Sequence, residues 1–127
     1  MSELLKPAIE YAEHGYPVSE VIAHSWANCE LKLNQRPSGI EMLPGGKAPK
    51  HGEIVRLPTL GKSLRAIAEG GSEAFYKGDI AKKIAGYVQS QGGWITEQDL
   101  SSHHSDWDEP INTKYRDVTV WECPPNG

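Results

Sequence analysis

Apolar residues recur at helical spacing in four stretches of this chain and alternate with polar ones in a fifth. Leu4, Leu5, Ala8, Ile9 and Ala12 share one face, which predicts a helix from Leu4 to His14. Pro7 lacks an N–H, so the regular part is expected to start near it, with Pro7 in the first turn and Gly15 as the stop. Tyr16-Pro17 breaks the pattern. Ser19 is a good N-cap for the next helix, in which Ile22, Trp26, Cys29 and Leu33 fall on a 4-3-4 spacing, the best amphipathic stripe of the chain.

From Gln35 to Arg56 the period disappears under Pro37, Gly39, Pro44, Gly45, Gly46, Pro49 and Gly52, and the stretch reads as a long loop with one short ordered turn at most. A structureless loop of that length is uncommon in a compact domain unless other surfaces support it. Pro58-Thr59 opens a third helix with Leu60, Leu64, Ile67 and Ala68 on its inner face, stopped by Gly70-Gly71 and followed by a short helical turn over Ser72 to Tyr76. Asp79 is expected to cap a fourth, with Ile80, Ile84, Tyr87 and Val88 inward and Lys82, Lys83 and Gln89 outward, ended by Gly92-Gly93. Thr96-Glu97-Gln98-Asp99 reads as a capping box with Asp in place of the usual Glu. Ile111–Tyr115 and Val118–Glu122 are rich in β-branched and aromatic residues, and a turn or bulge is expected around Arg116-Asp117.

The layout is therefore mainly α with a C-terminal β-hairpin or strand pair. Residues 1–127 form one segment: helical over 1–103, a long loop over 35–56, and strands over about 111–123. A lone strand pair is marginal in water, so together with the long loop it predicts a chain that leans on neighbours it does not contain.

Charge narrows the functional classes. Thirteen Lys+Arg stand against 17 Asp+Glu, a net charge of −4, and the nearest thing to a basic stripe is Lys82-Lys83, which argues against a nucleic-acid partner. No run of apolar residues is long enough for a membrane span, and Met1 to Pro7 does not have the form of a secretory signal, which leans towards a cytoplasmic location. Cys29 and Cys123 are far apart and outside any CxxC pair, so they are expected to be small, half-buried hydrophobes.

The densest polar cluster is His103-His104-Ser105-Asp106-Trp107-Asp108-Glu109. Its donors are nearly consecutive, whereas a metal site draws ligands from spaced positions that converge; His104, Asp106 and Asp108 share a face only in an extended segment. The expectation is a solvated connection, with a metal-binding reading through His103, His104, Asp106 and Asp108 kept as a minor alternative. Gly61-Lys62-Ser63 lacks the upstream glycine of a phosphate loop, and neither G-x-S-x-G nor H-E-x-x-H occurs. Thr59, Thr96, Thr113 and Thr119 have no neighbouring base to activate a hydroxyl and read as helix starts or strand residues. Trp26, Trp94, Trp107 and Trp121 are scattered in a way that fits core anchoring. No catalytic, substrate-binding or metal-binding residue and no cofactor is assigned.

One set of residues is more specific. Gly71-Ser72-Glu73-Ala74-Phe75-Tyr76-Lys77-Gly78-Asp79-Ile80-Ala81 leads to Gly92-Gly93, then Asp99-Leu100, then Tyr115-Arg116 and a proline-rich ending. Upstream stand Lys6-Pro7-Ala8-Ile9, Ala12-Glu13-His14-Gly15-Tyr16-Pro17-Val18 and Leu57-Pro58-Thr59-Leu60. This series resembles an interior segment of the large subunit of the gamma-glutamyltransferase (gamma-glutamyltranspeptidase) family across nearly the whole chain. The ending Cys123-Pro124-Pro125-Asn126-Gly127 departs from that family's PPPSS-type turn.

The resemblance implies a piece of an N-terminal-nucleophile hydrolase, whose complete αββα fold sandwiches two sheets between helical layers. There a self-cleaved precursor exposes a threonine that attacks a gamma-glutamyl amide, its own α-amine serving as base. The resemblance also places that threonine in a T-x-H motif of the small subunit, which these residues lack. The arginine holding the substrate carboxylate lies upstream, so Arg36, Arg56, Arg65 and Arg116 do not correspond to it. The implied partners are the rest of the large subunit, the small subunit and a gamma-glutamyl small molecule, with the exposed strand edge a route to homo-oligomers. The expectation is an enzyme segment that is inactive by itself; the alternative is a free-standing helical interaction module without catalysis.

Overall fold

The computed structural model describes residues 1–124; most of the proline-rich ending, residues 125–127, lies outside the described residues. In chain order the elements are α1 (Ser2–His14), β1 (Tyr16–Pro17), α2 (Glu20–Asn34), α3 (Gly39–Met42), a 3₁₀ turn at Pro44–Gly46, β2 (Ile54–Val55), α4 (Pro58–Tyr76), α5 (Asp79–Ser90), α6 (Glu97–Ser101), β3 (Ile111–Tyr115) and β4 (Val118–Glu122). The chain is thus mainly helical with two small antiparallel strand pairs, β1–β2 and the terminal hairpin β3–β4.

Helix α1 begins earlier than expected, at Ser2, and carries Pro7 inside it rather than in its first turn. Gly15 ends the helix at φ 93, where a Cβ would lie 2.6 Å from the Ile54 side chain, so only glycine lets the chain turn this close to β2. Ile9 and Ala12 are the buried part of the α1 face, while Leu4 is 79% exposed. Ala12 packs towards α4 at Gly61, where a Cβ would sit 2.8 Å from Glu13 Cγ; the missing side chain is what brings the two helices together.

The stretch from Gln35 to Arg56 is more ordered than its composition suggests. It contains α3, the 3₁₀ turn and β2, and it supplies half of the main buried cluster: Leu43 and Val55 join Val18 and Trp26. β2 pairs with β1 (Tyr16 opposite Val55, Pro17 opposite Ile54), and the Val18 N–H donates to the Glu53 carbonyl at 3.0 Å. Carboxylates fasten the rest. Glu30 Oε2 accepts from the Ala48 N–H at 2.8 Å, and Glu41 Oε1 accepts from the Thr59 N–H at 2.9 Å, satisfying an otherwise free donor in the first turn of α4.

The interruption expected at Gly70-Gly71 is present as a break inside α4: Gly71 adopts φ 63, ψ −151, a conformation open essentially only to glycine. The N-cap of α5 is Gly78, and Asp79 is its first residue, without a capping hydrogen bond. Ala81 and Ala85 are the buried residues of α5 and Tyr87 stays 42% exposed, because the close approach of neighbouring elements favours the small side chains.

The two strands pair as an antiparallel hairpin, with Ile111 opposite Glu122 and Tyr115 opposite Val118. Paired residues share a face, so Ile111, Thr113, Tyr115, Val118 and Val120 lie together on one side. Every residue of both strands is exposed. The two-residue turn holds Arg116 at φ 57, with its guanidinium 5.3 Å from the Tyr115 ring centroid.

The surface as a whole is large. The chain exposes 10026 Å², against about 6,700 Å² for a self-contained folded protein of 14.0 kDa. It buries roughly half of the surface of its extended state rather than the roughly two-thirds usual at this size. Large apolar side chains stand in the exposed surface: Trp94 and Trp107 are 93% and 101% exposed and Trp121 is 60% exposed, so Trp26 alone of the four tryptophans is a core anchor.

Candidate functional site

The polar run after α6 does not converge. His103 stacks on the Tyr76 ring, centroids 4.6 Å apart, which turns it towards α4. His104 Nε2 lies 3.5 Å from Asp106 Oδ2, with both side chains in solvent. Among the described residues no three His, Cys, Asp or Glu side chains come together as a metal would require, and Asp108 stands apart from the pair.

The threonines serve local structure. Thr96 caps α6: its Oγ1 accepts from the Asp99 N–H at 3.1 Å while Asp99 Oδ2 accepts from the Thr96 N–H at 2.8 Å. The Thr96 hydroxyl donates to the same carboxylate at 2.7 Å; this bond, followed by the backbone one, holds the Asp99 carboxyl below its ordinary range. Thr59 sits in the first turn of α4, and Thr113 and Thr119 lie in the hairpin. Both cysteines are exposed, contrary to the half-buried placement expected for them, because the α2 stripe that carries Cys29 borders an opening rather than a packed interior.

Among the described residues, two of the open concavities border α1 and α2. The first lies beside α1, about 450 Å³, with the charged or titratable Lys6, Glu10, His14 and the Glu13–Arg65 pair among its walls. Arg65 grips Glu13 through Nε (3.2 Å) and Nη2 (2.7 and 2.8 Å), tying α4 to α1. The guanidinium lowers the Glu13 carboxyl, chiefly through these hydrogen bonds, and is itself raised by them. The second is an apolar groove of about 390 Å³ along α2. Ile22, Trp26, Cys29 and Leu33 form one wall, the stripe already visible in the sequence; Tyr16, Met42 and Leu57 close the other. Those three were not foreseen, since they come from segments without a period. The Trp26 indole N–H is buried there without an acceptor.

Among the described residues, no hydroxyl or thiol lining either concavity (Ser2 in the first; Tyr16, Ser25 and Cys29 in the second) is hydrogen-bonded to a base. Comparison with known proteins gives the family. The gamma-glutamyltranspeptidase family profile matches residues 1–127, and the chain belongs to that family. It is 36% identical to the glutathione hydrolase-like YwrD proenzyme of Bacillus subtilis (strain 168) over 127 residues, which are 99% of this chain and 24% of that protein. Among solved structures it is similar to Helicobacter pylori gamma-glutamyltranspeptidase (TM-score 0.91, 28% identity, 98% of this chain and 36% of that one). It is also similar to a cephalosporin acylase from Bacillus halodurans (TM-score 0.86, 36% identity, 98% and 27%). The chain thus spans about a quarter of the length of the curated relative, and it is a segment of a gamma-glutamyltranspeptidase-family protein.

Proposed function

We propose that this chain is a bracing segment of the large subunit of a gamma-glutamyl amide hydrolase or transferase, and that it has no activity in isolation. The observation that carries the reading is the family match along all 127 residues of a chain that leaves 10026 Å² exposed, including both faces of its hairpin. In the intact protein the hairpin would extend a sheet and the helices would pack outside it. The remainder of the large subunit and a small subunit would cover the exposed faces. A threonine of that small subunit would attack the gamma-glutamyl carbonyl and its α-amine would take the hydroxyl proton. The amine of the substrate would leave protonated, and water or an amino acid would then attack the gamma-glutamyl ester, taking the acyl group and freeing the threonine hydroxyl.

The alternative of a self-sufficient interaction module fits less well, since such a module would cover its own hairpin. Taken alone, the chain offers two unpaired strand edges, which is a route to homo-oligomers of the isolated segment. The test is a chromogenic gamma-glutamyl anilide assay on the purified chain and on the Bacillus subtilis relative with this segment in place of its own. The reading predicts no turnover by the chain above the enzyme-free rate and turnover by the chimaera. Turnover by the isolated chain would overturn it.

A further inference from the structure

We draw no further inference here: the strongest candidate, the open apolar groove along α2 walled by Tyr16, Ile22, Trp26, Leu33, Met42 and Leu57, carries none because nothing in the structure shows what covers it.

Discussion

Replacing Leu43 with alanine is the sharpest probe of how this segment holds together. Leu43 follows α3 in a stretch that reads as loop, yet it is 2% exposed and sits against Val18, Trp26 and Val55. Leu43→Ala removes three buried carbons, about 2.4 kcal/mol of transfer free energy. The void adds up to about 2 kcal/mol if it does not close. Leu33 and Met42 flank both this cluster and the open groove, so they have room to move inward and the total should fall near 3 kcal/mol. Ile40, three positions away and 85% exposed, is the control: Ile40→Ala should stay within about 0.5 kcal/mol of the parent. Urea titration followed by Trp26 fluorescence, with Trp94, Trp107 and Trp121 changed to phenylalanine, reads the cluster directly because Trp26 is part of it. A chain that buries only half of its extended surface has little stability in reserve, so Leu43→Ala should be largely unfolded without denaturant. Equal midpoints for the Leu43 and Ile40 variants would refute the assignment of the core to this stretch.

Two glycine substitutions should have opposite signs. At Gly71 a Cβ meets nothing within 4 Å, so the φ of 63 alone sets the cost of Gly71→Ala, about 1–3 kcal/mol. Gly86 also faces open space but lies inside α5, and Gly86→Ala should stabilise by about 1 kcal/mol; denaturant midpoints moving the same way in both would contradict the break in α4. The lowered Asp99 carboxyl gives a pH prediction. A carboxyl depressed by folding adds stability above its unfolded value near 3.9, and that contribution is lost as pH falls through the lower folded value. The α6 cap should therefore persist at mildly acidic pH and open only below about pH 4. Carboxyl-carbon NMR should find Asp99 titrating below the ordinary range and returning towards it in Thr96→Ala; ordinary titration in both proteins would remove the capping box from the account.

What the sequence made legible was local. The Thr96–Asp99 box, the Ser19 cap, the stop at Gly15 and the hairpin from Ile111 to Glu122 each depend on residues a few positions apart, and each appears where its pattern put it. The core was less legible. Leu43 and Val55 reach Val18 and Trp26 across the chain, and strands of two residues such as Tyr16–Pro17 are too short to show alternation. The stripe Ile22-Trp26-Cys29-Leu33 was visible as apolar, but amphipathicity says which side a helix buries, not whether the covering surface belongs to the same segment. The same reason explains Trp94 and Trp107, whose composition suggests an interior and whose side chains stand in solvent.

In the proposed reading, the rest of a gamma-glutamyltranspeptidase-family protein would cover the exposed faces of this segment. Backbone hydrogen exchange at residues 111–122 tests it most directly, measured in the isolated chain and in the chimaera with the Bacillus subtilis relative. The account predicts rapid exchange along both strand edges in the isolated monomer and slow exchange in the chimaera, as the hairpin joins a sheet. Equally slow exchange in the isolated monomer, or equally rapid exchange in a folded and active chimaera, would contradict it.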